Sequence, residues 1–185
     1  MVSETVQLTA ALVVVCLLSG LSLAMVYDTT KPYIDENQRM ALEIAQKEVF
    51  PSGERFDELA DHPLISTEKE GVRSVYAGYI GDAVAGYALK VEGIGFGGSM
   101  KLLVGVEVKD GKATVTGIKV LEHLETPGLG ERINEDFFKG QFAGKEAPLR
   151  TNQFDTITGA TISSSKVVQM VIESVNTLHT QGGGM

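Results

Sequence analysis

Lys101-Leu-Leu-Val104-Gly-Val106-Glu-Val108-Lys-Asp110-Gly111-Lys-Ala-Thr-Val-Thr116-Gly-Ile118-Lys-Val120-Leu121 carries the strongest architectural signal in the chain. Val104, Val106 and Val108 stand at every second position, and Thr116, Ile118 and Val120 repeat the pattern more weakly. This is the period of strands with one buried face. Asp110-Gly111 between the runs supplies two residues that tolerate the positive φ of a tight hairpin turn. The pattern predicts strands over 101–109 and 113–121, paired in an antiparallel sheet.

Upstream, two more strands are predicted over 74–80 and 83–92. Between them and the preceding helix, 50–71 is polar and interrupted by Pro51, Gly53 and Pro63, and it reads as loop. Ile34, Met40, Ala41, Ile44, Ala45 and Val49 recur near a 3.6 period over 33–50, which predicts a stalk helix closed by Pro51. Downstream, 131–139 reads as a short helix carrying Ile133, Phe137 and Phe138. A final helix is expected over 162–179, where Val167, Val168, Val171, Ile172, Val175 and Leu178 form one apolar stripe. Residues 181–185 read as a frayed tail. The class is α+β, with no internal repeat.

With 185 residues and a formal charge of −8, the chain suits one ordinary domain plus a short extension. Its acidity argues against nucleic acid as a partner. A single cysteine, Cys16, cannot form an internal disulfide or a thiolate cage, and three scattered histidines give poor support for a metal site. Positions 5–27 contain no charged residue, and 8–26 are almost wholly apolar or small. A helix of that length at about 1.5 Å per residue reaches about 34 Å, enough for a hydrocarbon core about 30 Å thick. A cleaved secretory signal is the competing account, because Ser22 and Ala24 are small and suitably spaced. The long stretch, and Glu4 where a basic flank would stand, favour an anchor in membrane lipid, with Cys16 as apolar filler. The predicted organisation is a transmembrane anchor over 1–29, a stalk helix over 30–52, a small domain over 53–180 and a flexible tail over 181–185. Lys31 and Arg39 follow the span, a distribution that by itself would keep that flank cytoplasmic.

Three segments are candidates for chemistry. Asp155-Thr-Ile-Thr158-Gly159-Ala160-Thr161-Ile-Ser163-Ser164-Ser165 runs into the last helix. Its hydroxyls crowd a helix N-terminus, where unpaired N–H groups and the dipole favour an anion such as phosphate. Gly159 and Ala160 let a ligand approach the backbone. The competing account makes Thr158 or Thr161 an ordinary N-cap. His123-Leu-Glu125-Thr126-Pro127-Gly128-Leu129-Gly130 is a rigid turn able to lie against a planar ring. Gly95-Phe96-Gly97-Gly98-Ser99-Met100-Lys101 precedes a strand rather than a helix and lacks a complete dinucleotide fingerprint, so a Rossmann site is excluded.

Asp155 followed by Thr158-Gly159-Ala160-Thr161 resembles the Asp-x-x-(Ser/Thr)-Gly-Ala-Thr signal of FMN-binding domains in Rnf and Na+-translocating NADH:quinone reductase complexes. Glu125 to Gly130 resembles their Glu-Thr-Pro-Gly-Leu-Gly loop, and Gly95 to Lys101 their Gly-Tyr-Gly-Gly-x-Ile element, with Phe96 and Met100 as departures. The resemblance covers about 30–180, and the layout of one membrane helix plus one small flavodomain is most similar to the G-subunit family of Rnf complexes. It implies FMN joined through its phosphate to Thr161 by an ApbE-type flavin transferase. Asp155, Thr158, Gly159, Ala160 and Ser163 would recognise cofactor or transferase, and Glu125, Thr126, Gly128 and Leu129 would lie beside the isoalloxazine ring.

The implied function is a membrane-anchored electron carrier in a ferredoxin:NAD+ oxidoreductase complex coupled to Na+ or H+ translocation. Its partners would be the other membrane and redox subunits. It is expected to be a carrier rather than a stand-alone enzyme, single-pass in the cytoplasmic membrane, with its FMN domain on the extracytoplasmic side. The alternatives are a protein like the C subunit of the Na+-translocating NADH:quinone reductase, a non-redox tethered binding module and a self-contained flavoenzyme. No acid–base pair near the motif favours the last.

Overall fold

The computed structural model describes residues 2–66 and 70–182. The chain divides into two compact units, one ending at Ala41 and the other beginning at Leu42.

The described residues of the first unit are helical and belong to α1, Val2–Val49. The apolar part of this helix is long and hydrophobic enough to cross a membrane, with a mean hydropathy of 2.4 over its most apolar window. Four of its hydroxyls bond to their own backbone. Thr9, Ser22 and Thr29 each donate to the carbonyl four residues back at 2.8 Å, and Thr30 donates to Val26 O. Apolar surroundings offer a hydroxyl no other acceptor, so this local bond avoids a desolvation cost. Pro32 lies inside the helix, where it has no N–H to donate.

The second unit is built on a five-stranded antiparallel meander in the order β1 (Arg55–Glu58), β2 (Gly71–Ile80), β3 (Ala83–Ile94), β4 (Ser99–Lys109) and β5 (Lys112–His123). The hairpin between β4 and β5 turns at Asp110 and Gly111, whose φ values are 52° and 75°. Leu89, Val104 and Ile118 stand in register across β3, β4 and β5 on one face. Against that face packs α3 (Thr161–Gly182), through Val167, Val168, Val171, Val175 and Leu178.

The other face takes the end of α1. Ala45, Val49 and Phe50 bury themselves against Tyr76, Ala88 and Leu103. Close approach is possible because β4 has no side chain at Gly105, where a Cβ would strike Val49 O. Thr116 donates to that same carbonyl, and Lys119 pairs with Glu48 at 2.7 Å. The helix C-terminus therefore keeps an acceptor satisfied where it meets the sheet.

Three local expectations change. The 50–71 stretch, expected to be loop, contains β1, whose sequence Arg-Phe-Asp-Glu is mostly exposed and gains its order from pairing with β2. The helix expected over 131–139 is two pieces, a 3-10 turn at Gly130–Asn134 and α2 at Asp136–Lys139, because Glu135 between them is extended at ψ 142°. Of the expected tail, Gln181 and Gly182 continue α3, and 183–185 lie outside the described residues. Phe142 stacks on Phe154 at 4.9 Å and takes Phe138 edge-on at 5.5 Å, fixing the path from β5 back to α3.

Candidate functional site

Where β5 ends, His123 organises the turn that follows. Its Nδ1 accepts the Glu125 N–H at 3.3 Å, while its other ring nitrogen meets the Asn134 side chain at 2.9 Å. His123 is thus a satisfied structural residue. Thr126 O accepts the N–H groups of Leu129 and Glu131, which closes the Pro127-Gly128 turn and leaves Leu129 exposed. The glycine loop between β3 and β4 lies directly on this turn: Leu124 N–H donates to Ser99 O at 3.1 Å, and a Cβ at Gly97 would strike Leu124 O.

The third segment leads into α3. Phe154, Ile157 and Ala160 are buried and act as anchors, while Asp155, Thr156, Thr158, Gly159 and Thr161 are exposed. Gln141 holds the upstream end by two bonds with the Asp155 backbone, accepting at 2.7 Å and donating at 3.1 Å. Ser164, fully buried, holds the downstream end: its Oγ accepts the Ile157 N–H at 3.0 Å and donates to Ala160 O at 2.8 Å.

Thr161 is the first residue of α3, and among the described residues its hydroxyl reaches only Ile157 O, at 3.5 Å. That is the outer limit of a hydrogen bond, so the oxygen is effectively uncommitted. Among the described residues neither Thr158 nor Thr161 accepts an N–H from the helix. The N-cap account of these threonines therefore fails; the side-chain acceptor at this end is Ser164 Oγ, and the N–H it takes is that of Ile157, ahead of the helix.

The three segments enclose a cleft of about 290 Å³. Its wall is formed by Glu125, Thr126, Leu129, Gly159, Ala160, Thr161 and Ser163 from the expected set, together with Phe96, Gly130 and Ile162. Asp155, Thr158 and Gly128 do not line it; they lie exposed outside it. Phe96, Leu129 and Ile162 are exposed apolar side chains at one opening, a placement that favours an apolar or planar ligand. Ile162 carries a sequence signal, since it is apolar yet stands off the apolar stripe of α3. Phe96, an aromatic between glycines, is another. Gly130 is the last residue of the Glu125–Gly130 motif.

Glu125 is buried in the wall at 6% exposure. Its Oε2 accepts from the Ser163 hydroxyl at 2.7 Å and from Gly97 N–H at 3.1 Å, and Oε1 has no partner. A carboxylate taken out of water costs several kcal/mol, of which each hydrogen bond to it returns about 1.5–3 kcal/mol. Among the described residues there is no cluster of His, Cys, Asp and Glu able to hold a metal ion.

Residues 95–176, from the glycine loop into α3, match the family model of the FMN-binding domain. An identity of 31% relates it to the G subunit of the proton-translocating ferredoxin:NAD(+) oxidoreductase complex of Clostridium ljungdahlii, covering 96% of this chain and 93% of the relative. A second relative is the G subunit of the ion-translocating oxidoreductase complex of Methanosarcina acetivorans, 30% identical over 97% of each chain. In fold, the crystal structure of NqrC from Shewanella oneidensis is similar with a TM-score of 0.52, covering 80% of this chain and 96% of that one at 18% identity.

Proposed function

This chain belongs to the G-subunit family of ion-translocating oxidoreductase complexes, and we propose that it carries FMN joined through its phosphate to Thr161. It is a membrane-anchored electron-transfer protein with an FMN-binding domain. In the proposed reading it relays electrons within a ferredoxin:NAD+ oxidoreductase complex coupled to Na+ or H+ transport. The flavin domain stands on the extracytoplasmic side, where partner subunits rather than Lys31 and Arg39 set the orientation.

The observation that carries the attachment is the state of Thr161: exposed, at the first position of α3, at the edge of the cleft and with an uncommitted hydroxyl. The residues present fit the group. A cleft of about 290 Å³ lies at the low end of ligand sites, which run from about 300 to 1,000 Å³, so a flavin nucleotide there keeps part of itself outside. Phe96, Leu129 and Ile162 supply apolar surface for a planar ring. The first N–H groups of α3 have no acceptor within the helix, and they and the dipole favour a phosphodiester by about 0.3–1 kcal/mol.

When bound, FMN supplies the redox chemistry, and the protein supplies binding, orientation and electrostatics. Relative to free FMN the joined product lacks one water. The Thr161 oxygen gains its O–P bond as the transferase breaks a phosphoanhydride bond of an activated flavin nucleotide, whose remaining nucleotide leaves with its own phosphate while the hydroxyl proton passes to solvent. Asp155, Thr158 and Gly159, exposed beside Thr161, form the face that an ApbE-type transferase reads.

Intact mass and peptide mapping of the protein from its native membrane test this. A peptide containing Thr161 is expected to be heavier by roughly 438 Da, FMN less water. An unmodified peptide, from cells that flavinylate other proteins, would make a non-redox tethered module the better account.

A further inference from the structure

Glu125 is the only buried charged side chain among the described residues, and it forms part of the cleft wall. All three segments of the site meet on it. Gly97 and Ser163 donate to its Oε2, and a Cβ on Gly95 or Gly130 would collide with its carboxylate. Among the described residues no lysine, arginine or histidine pairs with it, and Oε1 is enclosed without a partner. Packing and hydrogen bonding do not require the charge. A glutamine in the same place would offer an oxygen to the same two donors. What a glutamine would lack is the negative charge in the wall, where water screens it little.

A fixed negative charge beside a redox group opposes the addition of electrons to it. We infer that Glu125 sets the potential of the bound flavin, its carboxylate holding the flavin at a lower midpoint potential than the same cleft would without the charge. This rests on the proposed occupancy of the cleft by FMN. Ser163 acts through Glu125: by donating to Oε2 it holds the carboxylate in the wall, and it ties that position to the first turn of α3, two residues from Thr161.

The test is spectroelectrochemical titration of the full-length chain, purified with its flavin and checked for flavin by mass. Glu125→Gln is expected to shift the midpoint potential to a more positive value, so that at a fixed ambient potential the ratio of reduced to oxidised flavin rises about tenfold. Ser163→Ala keeps the charge and removes one donor to it, and its potential is expected to be unchanged or more negative. An unchanged or more negative potential in E125Q overturns the inference. An equal positive shift in both variants also overturns it, by assigning the effect to lost geometry. Wild-type protein without flavin overturns the occupancy and the inference together, whereas flavin present without the shift overturns the inference alone.

If E125Q does not accumulate in folded form, the wild type decides by redox difference infrared spectroscopy with 13C-labelled glutamate. A label-sensitive carboxylate band that moves on flavin reduction supports the inference, and its absence overturns it.

Discussion

The hydroxyls of α1 and those at the start of α3 are the same chemistry put to opposite use. In α1, Thr9, Ser22 and Thr29 donate to their own helix, so these exposed side chains leave no hydroxyl waiting for a partner. At the start of α3 the buried Ser163 and Ser164 are committed, to Glu125 and to the Ile157–Ala160 backbone, while Thr161 has only its 3.5 Å approach to Ile157 O. A run of hydroxyls says little by itself. Which ones are spare depends on what the surrounding chain asks of the others, and of those left at the start of α3 Thr161 is the one that lines the cleft.

Four substitutions or conditions bear on that contrast. Thr161→Ala is expected to abolish covalent flavin completely, whereas Thr9→Ala in α1 leaves it intact, as read by mass of the purified chains. Next in size is packing. Leu178→Ala removes a buried side chain from α3 and is expected to cost about 2–5 kcal/mol in denaturant unfolding, while Leu17→Ala in α1, where the side chain is exposed, leaves that transition in place. Ser164→Ala strips the buried Ile157 N–H of its acceptor and is expected to cost about 1–3 kcal/mol, against no measurable change for Ser22→Ala.

The smallest effect is on pH. Burial holds the His62 pKa below its ordinary 6.5, so the unfolded chain binds a proton there more readily than the folded one. Stability contributed by neutral His62 is present above that value and is lost as pH falls below it. Denaturant midpoints measured from about pH 8 to about pH 5 should fall more in the wild type than in His62→Asn. α1 contains no histidine.

The elements legible in advance were those whose signal is periodic and local. Val104, Val106 and Val108 announce β4, Asp110-Gly111 announces its turn, and the valines of α3 announce a helix with one buried side. β1 was not legible, because Arg-Phe-Asp-Glu has no alternation and becomes a strand only when β2 offers its edge. The break at Glu135 was hidden for a similar reason, since its neighbours carry helical composition on both sides.

For the site, local motifs pointed to Thr161, the Glu125–Gly130 turn and the glycine loop. They did not distinguish the residues that face the cleft from those that face away. Asp155, Thr158 and Gly128 lie outside the cleft, whereas Phe96, Gly130 and Ile162, from the same three segments, line it.

The spanning stretch, the hairpin at Asp110-Gly111, the amphipathic α3 and the family resemblance can all be read from the amino acids alone, because each is written within a short window of residues. Three properties of the site came only with the folded chain: Glu125 is buried rather than exposed on its turn, Ser164 rather than a threonine secures the start of α3, and Thr161 keeps a spare hydroxyl. Burial and hydrogen-bond commitment are set by partners distant in sequence. Gly97 and Ser163 reach Glu125 from opposite directions along the chain, and no local pattern records that they will meet.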